Sequence, residues 1–447
     1  MRLAGVVGVV MLLAAPGTWR ADGEEVPAPA SAIKVGDEVV LMADSPGKIK
    51  RGKPAVAFGR NTFLVAWQEG WHGDGGSSRI CALRAGPDGK ALDARRIEIA
   101  PCQTGVQENP RVAFSGGSFL VVWQDMRNGK DCDVLGARVS PEGKVLDARP
   151  IPIAAGPRTQ AMPDLAAHNE GFMVVWHGFR GEEAFPRVFS ARVGIDGAVR
   201  APAPVIEGSS PRIASNGKEY LVTCFDLKPV RPRTSMFVKY VRLDRAGKRL
   251  YLSTYRENVS SLCQVSVCGA GPKGWVLVHP RAVPDFWGWS GPAAQRARSI
   301  MPDGRKAPDS PSERYYDPKT RKRTVPLNWL DTSIGKKVHR AAGPANVPEI
   351  WPWGGSALAA DRGHCVAVWQ RYHTGGATGI DLLNGDIRAG RVDGWRPLDT
   401  GGITVADSAA EEIDPALAGN GAGRLLCVYE RVQDGKSSIA ARVLQAR

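Results

Sequence analysis

Residues suited to acid/base chemistry or to ligand binding recur along this sequence at the same position of a repeated pattern. They stand just after short apolar runs that end in Trp or in a residue that replaces it. Aromatic side chains stack on sugar rings, while Arg, His and carboxylates hydrogen-bond to polar ligands. The mixture favours a surface that binds a glycan or a protein. The candidate binding residues are Trp71, His72, Asp74, Arg127, His177, Arg180, Arg281, Trp287, Trp289, Arg371, Tyr372 and His373.

The same positions leave two other interpretations open. A glycoside hydrolase needs two carboxyl groups about 5–10 Å apart, and an acid/base pair is available among Glu69, Asp74, His177, Glu182, Asp285 and His373. A structural role is the second alternative, in which an Asp accepts turn N–H bonds and an Arg pairs with the carboxylate of a neighbouring repeat. The residues to which this applies are Asp125, Arg127, Asp131 and Asp133.

The element that positions these residues is a repeat, best seen from Pro110 to Asp147. Its runs VAF, FLVVW, VLGARV and KVLD are rich in β-branched and aromatic residues, and SGG, RNGKD and SPEG separate them. Gly, Asn, Asp, Ser and Pro are turn formers, so the stretch predicts four antiparallel strands.

The repeat recurs along the chain with a Pro thirteen residues before a Trp that ends the second strand. The clear copies are Pro54–Trp67, Pro110–Trp123 and Pro163–Trp176. Weaker copies follow at Pro211–Cys224, Ser266–His279, Ser356–Trp369 and Pro415–Tyr429. Four-stranded repeats of about 50 residues are typical of β-propeller blades. The sequence therefore predicts an all-β propeller of about seven four-stranded blades, or six if the fifth copy is not a blade.

Two features of this ring are predicted from register. The seventh copy stops at Arg447 before a fourth strand, and EVVLMA at residues 38–43 precedes Pro54 as RPIPIA precedes Pro163. An N-terminal strand is therefore expected to complete the last blade. The third and fourth strands of the fifth copy are expected within Ala297–Lys306, followed by an insertion at about 308–345. Residues 36–447 then form one propeller domain.

In such a ring the loops after the second strands meet around one end of the axis. We call these loops the rim, and they carry the candidate binding residues. The loop that enters a first strand lies at the same end, which brings Cys102 and Cys132 of the second blade near each other. A disulfide between them is predicted, with free buried thiols as the alternative.

The other cysteines and the possible metal motifs add little chemistry. The chain has 8 Cys, without a CxxC, HExxH or CxxCH motif, so no metal or cofactor is expected. Asn128–Asp133 lacks the full ligand spacing of a calcium loop. Cys224, Cys365 and Cys427 lie in apolar second strands and are expected to be buried, whereas Cys263 and Cys268 could close a small loop.

The net charge and the N-terminal sequence limit which partners and which location are expected for the protein. The net charge is +14 over 447 residues, but Lys and Arg are scattered through every repeat, so nucleic acid is not expected as a partner. Arg2 followed by the apolar run Leu3–Ala15 predicts a signal peptide and leader at residues 1–30, with a retained anchor as the alternative. We expect an exported protein, either secreted, periplasmic or on the cell surface, with no transmembrane segment after signal removal.

The phrases FLVVWQDMRNGKDCDVLGARVSPEGKVLD, FLVAWQ, FMVVWH and CVAVWQ resemble the repeats of secreted bacterial β-propeller proteins, many of them uncharacterised. The resemblance covers most of residues 36–447. It implies a propeller, and often a binding or scaffolding role, but no reaction. Sialidases are also propellers, but their Ser-x-Asp-x-Gly-x-Thr-Trp motif is not found in this sequence, so no catalytic residue is carried over from them.

The sequence favours a non-enzymatic, monomeric binding or scaffolding module with a glycan or protein ligand at the rim. No nucleophile or metal constellation stands out, and the repeats differ most in their loops, as modular binding surfaces do. A carbohydrate-active hydrolase or lyase with an acid/base pair on the same rim is the alternative.

Overall fold

The computed structural model describes residues 33–43, 49–70, 77–101, 105–168, 171–179, 181, 183, 185–200, 202–226, 236–259, 265–284, 290–303, 329–331, 355–375, 381–393, 396–399 and 402–446. Side chains are not described at 226, 236–237, 254–259, 279–284, 290–299, 329–331, 371–375, 381–384 and 396–397. The described part of the chain is built from β-strands, with one short 3-10 helix at Gly271–Lys273.

Seven antiparallel sheets form the seven blades of a β-propeller, as the sequence predicts. Blade one contains β3 (Arg51–Gly59), β4 (Thr62–Glu69), β5 (Arg79–Ala85) and β6 (Ile97–Ala100). Blade two contains β7 (Gln107–Ser115), β8 (Ser118–Asp125), β9 (Asp133–Val139) and β10 (Ile151–Ala154). Blade three contains β11 (Gln160–His168), β12 (Gly171–Gly178), β13 (Arg187–Gly194) and β14 (Ala203–Glu207).

The later blades follow the same order of strands. Blade four contains β15 (Ser209–Ser215), β16 (Tyr220–Asp226), β17 (Met236–Leu243) and β18 (Arg249–Val259). Blade five contains β19 (Ser266–Gly269), β20 (Trp275–Pro284), β21 (Ser290–Ile300) and β22 (Trp329–Asp331). Blade six contains β23 (Ser356–Asp361), β24 (His364–Gly375), β25 (Asp381–Asp393), β26 (Arg396–Pro397) and β27 (Ile403–Ala406). Blade seven contains β28 (Glu411–Gly419), β29 (Arg424–Gln433) and β30 (Lys436–Ala446), and it also takes up β1 (Ile33–Val35) and β2 (Val39–Met42).

The N-terminal strands complete the last blade. Strand β1 pairs with the C-terminal end of β30, and β2 pairs with its middle, where Val39 lies opposite Ala441. Val39–Met42 therefore adds a strand to blade seven within the predicted range 38–43, and β1 extends the pairing beyond it.

Blade five differs from the sequence prediction. Its third strand is β21, and its fourth strand is Trp329–Asp331, which pairs with Ala294–Arg296 of β21. The fourth strand was expected within Ala297–Lys306, so that expectation was wrong. It lies instead inside the range assigned to the insertion at 308–345, most of which is outside the described residues.

The apolar core lies between blades. Seven clusters of buried side chains are found among the described residues, and each joins two neighbouring sheets. The aromatic residue that ends the apolar run of a second strand packs against the preceding blade. Trp123 packs against blade one, and Trp67 packs against blade seven. Cys224 occupies the same position in blade four, as predicted, and is buried there. The Pro-to-Trp spacing therefore marks the side chain that joins each blade to the one before it.

The first strands of the seven blades surround the axis, each in contact with the next, and β28 contacts β3. Five of them contain a bulge at the residue before the Pro, where the register with the second strand shifts. That residue has a left-handed backbone, which a bulge tolerates but a regular strand does not. The five bulge residues are Lys53 (φ 51°), Asn109 (52°), Met162 (54°), Ser210 (49°) and Asp414 (51°).

Candidate functional site

A cavity of about 240 Å³ lies on the axis, and residues from all seven first strands line it. Its charged lining residues are Lys53, Arg111, Asp164, Arg212 and Asp414. Arg111, Asp164 and Arg212 lie near the middle of their strands, so the cavity lies about half-way along the axis. The rim was predicted at the end of the ring where the first strands begin, because first and second strands are antiparallel.

The repeat explains why these charges face the axis. Lys53 and Asp414 are bulge residues, while Arg111, Asp164 and Arg212 each follow the Pro of their blade. Side chains alternate between faces along a strand, so the residue after the Pro points the same way in each blade. Blades one and seven have Ala55 and Ala416 at this register. The charge at the axis thus comes from blades two to four and from the bulges of blades one and seven.

Both carboxylates of the cavity hold neighbouring blades together. Lys53 Nζ lies 2.8 Å from Asp414 Oδ2, which links blade one to blade seven. Asp164 Oδ1 lies 3.7 Å from Arg111 Nε in blade two, and Asp164 Oδ2 accepts the Ile213 N–H of blade four at 2.9 Å. Each carboxylate therefore has a cationic partner across a blade interface.

Arg212 is the cation with the fewest compensating contacts in the cavity. Its side chain is buried, with the residue only 8% exposed, and Nη1 donates to the carbonyl oxygen of Pro211 at 3.0 Å. Among the described residues, no acceptor lies within hydrogen-bond distance of its Nη2. Burial and the neighbouring Arg111 lower the pKa of Arg212 to about 10, an effect that Asp164 partly offsets. Arg212 therefore brings a buried positive charge that the surrounding side chains only partly balance.

The structure describes only part of the predicted rim. The side chains of four candidates are not described, although the backbone places them in second strands: Arg281 in β20, and Arg371, Tyr372 and His373 in β24. Six other candidates lie outside the described residues: Trp71, His72, Asp74, Arg180, Trp287 and Trp289. The assignment of these ten residues to a binding site stays a prediction.

His177 and Arg127 are described in full, and both contact the protein itself. His177 lies in β12, where its Nδ1 accepts the Ser210 N–H of blade four at 3.2 Å. Burial lowers the pKa of His177 to about 4, so the imidazole is neutral at pH 7 and can act as this acceptor. Its described contact joins blades three and four.

Arg127 forms an ion pair within its own blade, whereas a pairing with the neighbouring repeat was expected. Its Nη2 lies 2.5 Å from Asp125 Oδ2, and its Nε lies 2.8 Å from Oδ1. Asp125 is buried and also accepts the indole N–H of Trp123 at 2.9 Å. Asp125 therefore supports the expectation that a carboxylate here organises the turn, and Arg127 is its counter-charge.

Glu69, an acid/base candidate in the sequence, is enclosed by three arginines. Its carboxylate lies 2.9 Å from Arg51 Nε, 3.5 Å from Arg79 Nε and 3.4 Å from Arg96 Nε, and the residue is buried. These contacts link the strands of blade one to one another, so Glu69 has a structural role there. Asp74, Glu182 and Asp285 lie outside the described residues, and the side chain of His373 is not described.

The cysteines give one unexpected contact. Cys132 is buried, while Cys102 lies outside the described residues, so their predicted disulfide stays a prediction. Cys263 also lies outside the description, but Cys268 faces Cys365 of blade six, with 3.2 Å between the two sulfurs. Within the described ranges, no group of His, Cys, Asp and Glu is arranged to hold a metal ion.

Sequence reasoning missed the axial residues Arg111, Asp164 and Arg212. They stand inside the repeat that was used to predict strands, but at a register occupied by Ala in blades one and seven. Aligning the seven copies column by column reveals this change from Ala to Arg and Asp. This aligned position, directly after the Pro, is the sequence signal that could have indicated a charged site on the axis.

No protein-family model and no curated protein matches the sequence. The fold is similar to that of a protein of unknown function from Dyadobacter fermentans DSM 18053, at 14% identity and a TM-score of 0.45, covering 94% of this chain and 100% of that one. A Trypanosoma rangeli sialidase is similar at 9% identity and a TM-score of 0.41, covering 94% of this chain but only 60% of the sialidase chain. An α-L-arabinofuranosidase from Podospora anserina is similar at 10% identity and a TM-score of 0.35, covering 57% of this chain and 92% of that one. We base no functional assignment on similarities at this level. Across the described residues, no helix is long and apolar enough to cross a membrane.

Proposed function

We propose that this chain is an exported β-propeller that acts as a non-enzymatic binding or scaffolding module and takes a glycan or protein ligand at the rim. The resemblance of its repeats to those of secreted bacterial propellers supports the proposed export, together with the apolar run Leu3–Ala15.

One observation carries the preference for binding over catalysis. The two carboxylates of the axial cavity, Asp164 and Asp414, are each held in an ion pair between neighbouring blades. Acid/base hydrolysis needs a pair of carboxyl groups that can act on a substrate across a cleft. Both carboxylates of the cavity are instead engaged with groups of the protein itself, which favours a structural role for them.

The described rim residues support the same proposal. Glu69 lies among three arginines and His177 accepts a backbone N–H, so these two acid/base candidates already have structural partners. The rim positions that depart from the repeat are where a ligand is expected, because loops on a rigid scaffold commonly carry binding function.

A glycan array followed by a hydrolysis assay on the same glycans tests the proposal. The chain without residues 1–30 should bind a subset of glycans, and no new reducing ends should appear during long incubation. Turnover of any bound glycan would instead establish the alternative, a carbohydrate-active hydrolase or lyase.

Two substitutions place the ligand on the molecule. Tyr372→Ala, at the rim end of blade six, should weaken glycan binding by about tenfold, the effect of losing one good stacking contact. Lys144→Ala, on an exposed turn between β9 and β10 at the opposite end of blade two, is the control and should leave binding unchanged. Equal binding by both variants and the unmodified chain would contradict a ligand at the rim.

A further inference from the structure

We propose that Arg212, together with Arg111, forms an oxyanion subsite in the axial cavity, and that it takes the carboxylate of an acidic sugar residue at the end of a glycan. This inference rests on the proposed function, because it names the part of the ligand that reaches the axis.

Arg212 Nη2 is a buried donor that lacks a partner within the described part of the chain. Buried polar groups are nearly always hydrogen-bonded, and leaving a charged one unsatisfied is costly. Nη1 donates to the Pro211 carbonyl, which holds the guanidinium in place, and Arg212 is one of the residues that line the cavity.

The charge of the cavity favours an anion. Among the described residues that line it, three are cations and two are carboxylates, which leaves one positive charge in excess. Asp414 is paired with Lys53, while Asp164 is shared between Arg111 and the Ile213 N–H. An oxyanion that accepts from Arg212 would therefore supply both the missing acceptor and the missing charge.

The size of the cavity limits the ligand. About 240 Å³ is smaller than the roughly 300–1,000 Å³ of pockets that enclose drug-sized ligands. The cavity therefore suits one terminal residue, with the remainder of the glycan on the rim. A sulfate ester would offer the same oxyanion chemistry, so the experiment has to separate the two.

Thermal unfolding of the unmodified chain is the first test. Millimolar glucuronate should raise its melting temperature, whereas glucose at the same concentration should not. Sulfate is the second anion: a shift with sulfate but not with glucuronate would reject the carboxylate and identify an adventitious ion only. If neither anion shifts the melting temperature, the subsite does not exist.

Calorimetric titration with glucuronate then assigns the residue. Arg212→Met should weaken binding by about tenfold or more, the usual effect of losing one charge-assisted hydrogen bond, and Arg149→Met, an exposed arginine outside the cavity, should not. Arg212→Lys keeps the charge and should retain part of the affinity if Arg212→Met proves poorly folded. Unchanged affinity in a folded Arg212→Met variant would overturn the assignment.

The outcomes separate this inference from the proposed function. Binding of neutral glycans at the rim, with no response to either anion, would leave the binding module intact and remove only the subsite. No glycan binding combined with a glucuronate response lost in Arg212→Met would retain the subsite and reject the glycan module.

A different observation carries a second, independent inference. Cys268 of blade five and Cys365 of blade six have their sulfurs 3.2 Å apart in a buried cluster that includes Val276, Val278 and Trp369. A disulfide bond is about 2.05 Å long, so the sulfurs need to approach by about 1 Å. We infer that the two thiols form a disulfide between blades five and six when the chain folds in an oxidising compartment.

The reaction balances with an ordinary disulfide oxidant. Each thiol loses one proton and one electron as the sulfur–sulfur bond forms, and oxidised glutathione accepts both electrons and both protons to give two molecules of reduced glutathione. Cys81 and Cys427 are also buried and have no sulfur neighbour in the described residues, so they should stay reduced.

Non-reducing peptide mapping tests the disulfide. The chain is refolded with oxidised glutathione, denatured, alkylated and digested. A linked peptide pair that contains Cys268 and Cys365 is expected, together with full alkylation of Cys81 and Cys427. In Cys365→Ala, Cys268 should become fully alkylated. Complete alkylation of both Cys268 and Cys365 in the unmodified chain would overturn the inference.

Discussion

In four blades, one side chain at the end of the second strand's apolar run connects that blade to the next. The residue directly after the Trp accepts the N–H of the bulge residue in the following blade. Three blades use Gln for this purpose, while blade three uses His177. The bonds run from Asn109 N to Gln68 Oε1 (3.2 Å), Met162 N to Gln124 Oε1 (3.1 Å), Ser210 N to His177 Nδ1 (3.2 Å) and Asp414 N to Gln370 Oε1 (3.5 Å).

His177 makes this connection sensitive to acid. Its pKa is lowered from 6.5 to about 4 in the folded chain because of burial. Between these pKa values the unfolded chain binds more protons than the folded chain. The free energy of unfolding therefore rises with pH across this window and decreases as the pH falls towards 4. We expect His177→Gln, which copies Gln68 and Gln124, to reduce the loss of stability between pH 6.5 and 4.5 in urea unfolding. An unchanged pH profile would contradict the role of His177 as a neutral acceptor.

Glu430 occupies the same position in blade seven, and its pKa shift changes the stability with pH in the opposite direction. Burial, with Asp414 and Glu411 nearby, raises its pKa from 4.5 to about 8. A Cβ on Gly52 would overlap its carboxylate, which shows how closely blade one approaches it. Between about pH 4.5 and 8 the folded chain binds more protons, so stability falls as the pH rises.

Glu430→Gln should therefore raise the free energy of unfolding at pH 8.5 while changing it little at pH 5, because Gln resembles the protonated acid. Urea unfolding at the two pH values measures the difference. Glu142→Gln, on an exposed turn, is the control and should behave as the unmodified chain does at both values. Equal destabilisation by Glu430→Gln at both pH values would mean that the residue is ionised throughout.

At the scale of the element, the repeat made the strands predictable from sequence. The Pro and the residue at the end of the apolar run mark a bulge at the axis and a buried anchor between blades, and the bulge recurs in five of the seven blades. The fourth strand of blade five escaped prediction because it follows a long connection, and Trp329–Asp331 carries no repeat signal. The axial subsite escaped too, since the surroundings of Arg212 come from residues distant in sequence.

An arginine–aspartate pair fastens the third strand to the turn that follows it. Arg138 in β9 donates from its backbone N–H and its guanidinium to Asp147, with Nη2 2.7 Å from Oδ1. The same guanidinium reaches the Ile195 carbonyl of blade three at 2.8 Å. Blades one and six repeat the pair with Arg84–Asp93 and Arg391–Asp399. The Leu-Asp dipeptides of the sequence are therefore architectural.

Asp147→Ala should destabilise the chain because it leaves a largely buried guanidinium with fewer acceptors. Loss of charged hydrogen bonds of this kind costs about 2–3 kcal/mol, which urea unfolding detects as a lower midpoint. Asp407→Ala removes an exposed carboxylate and serves as the control. If the two variants unfold at the same midpoint, the pair contributes nothing to stability.

At the scale of the whole molecule, the ring is closed by three sets of contacts between its ends. A buried cluster joins Leu426 and Val428 of blade seven to Phe63 and Trp67 of blade one. Lys53 pairs with Asp414 across the same interface. The N-terminal segment adds strand pairing to β30, which is reinforced by Glu38 accepting the hydroxyl hydrogen of Tyr429 at 2.6 Å.

Deleting residues 36–43 should lower the melting temperature sharply, because it removes β2, the Glu38 contact and the buried side chain of Leu41 at once. A loss of several kcal/mol in a domain of this size corresponds to roughly 5 °C or more, and calorimetry or circular dichroism measures it. Two substitutions in β2 refine the test: Leu41→Ser, at a position 6% exposed, should destabilise the chain, whereas Val40→Ser, 46% exposed, should not. Closure would then depend on the apolar face that β2 turns towards blade one. A melting temperature unchanged by the deletion would mean that the side-chain contacts between blades one and seven hold the ring closed without the N-terminal strand.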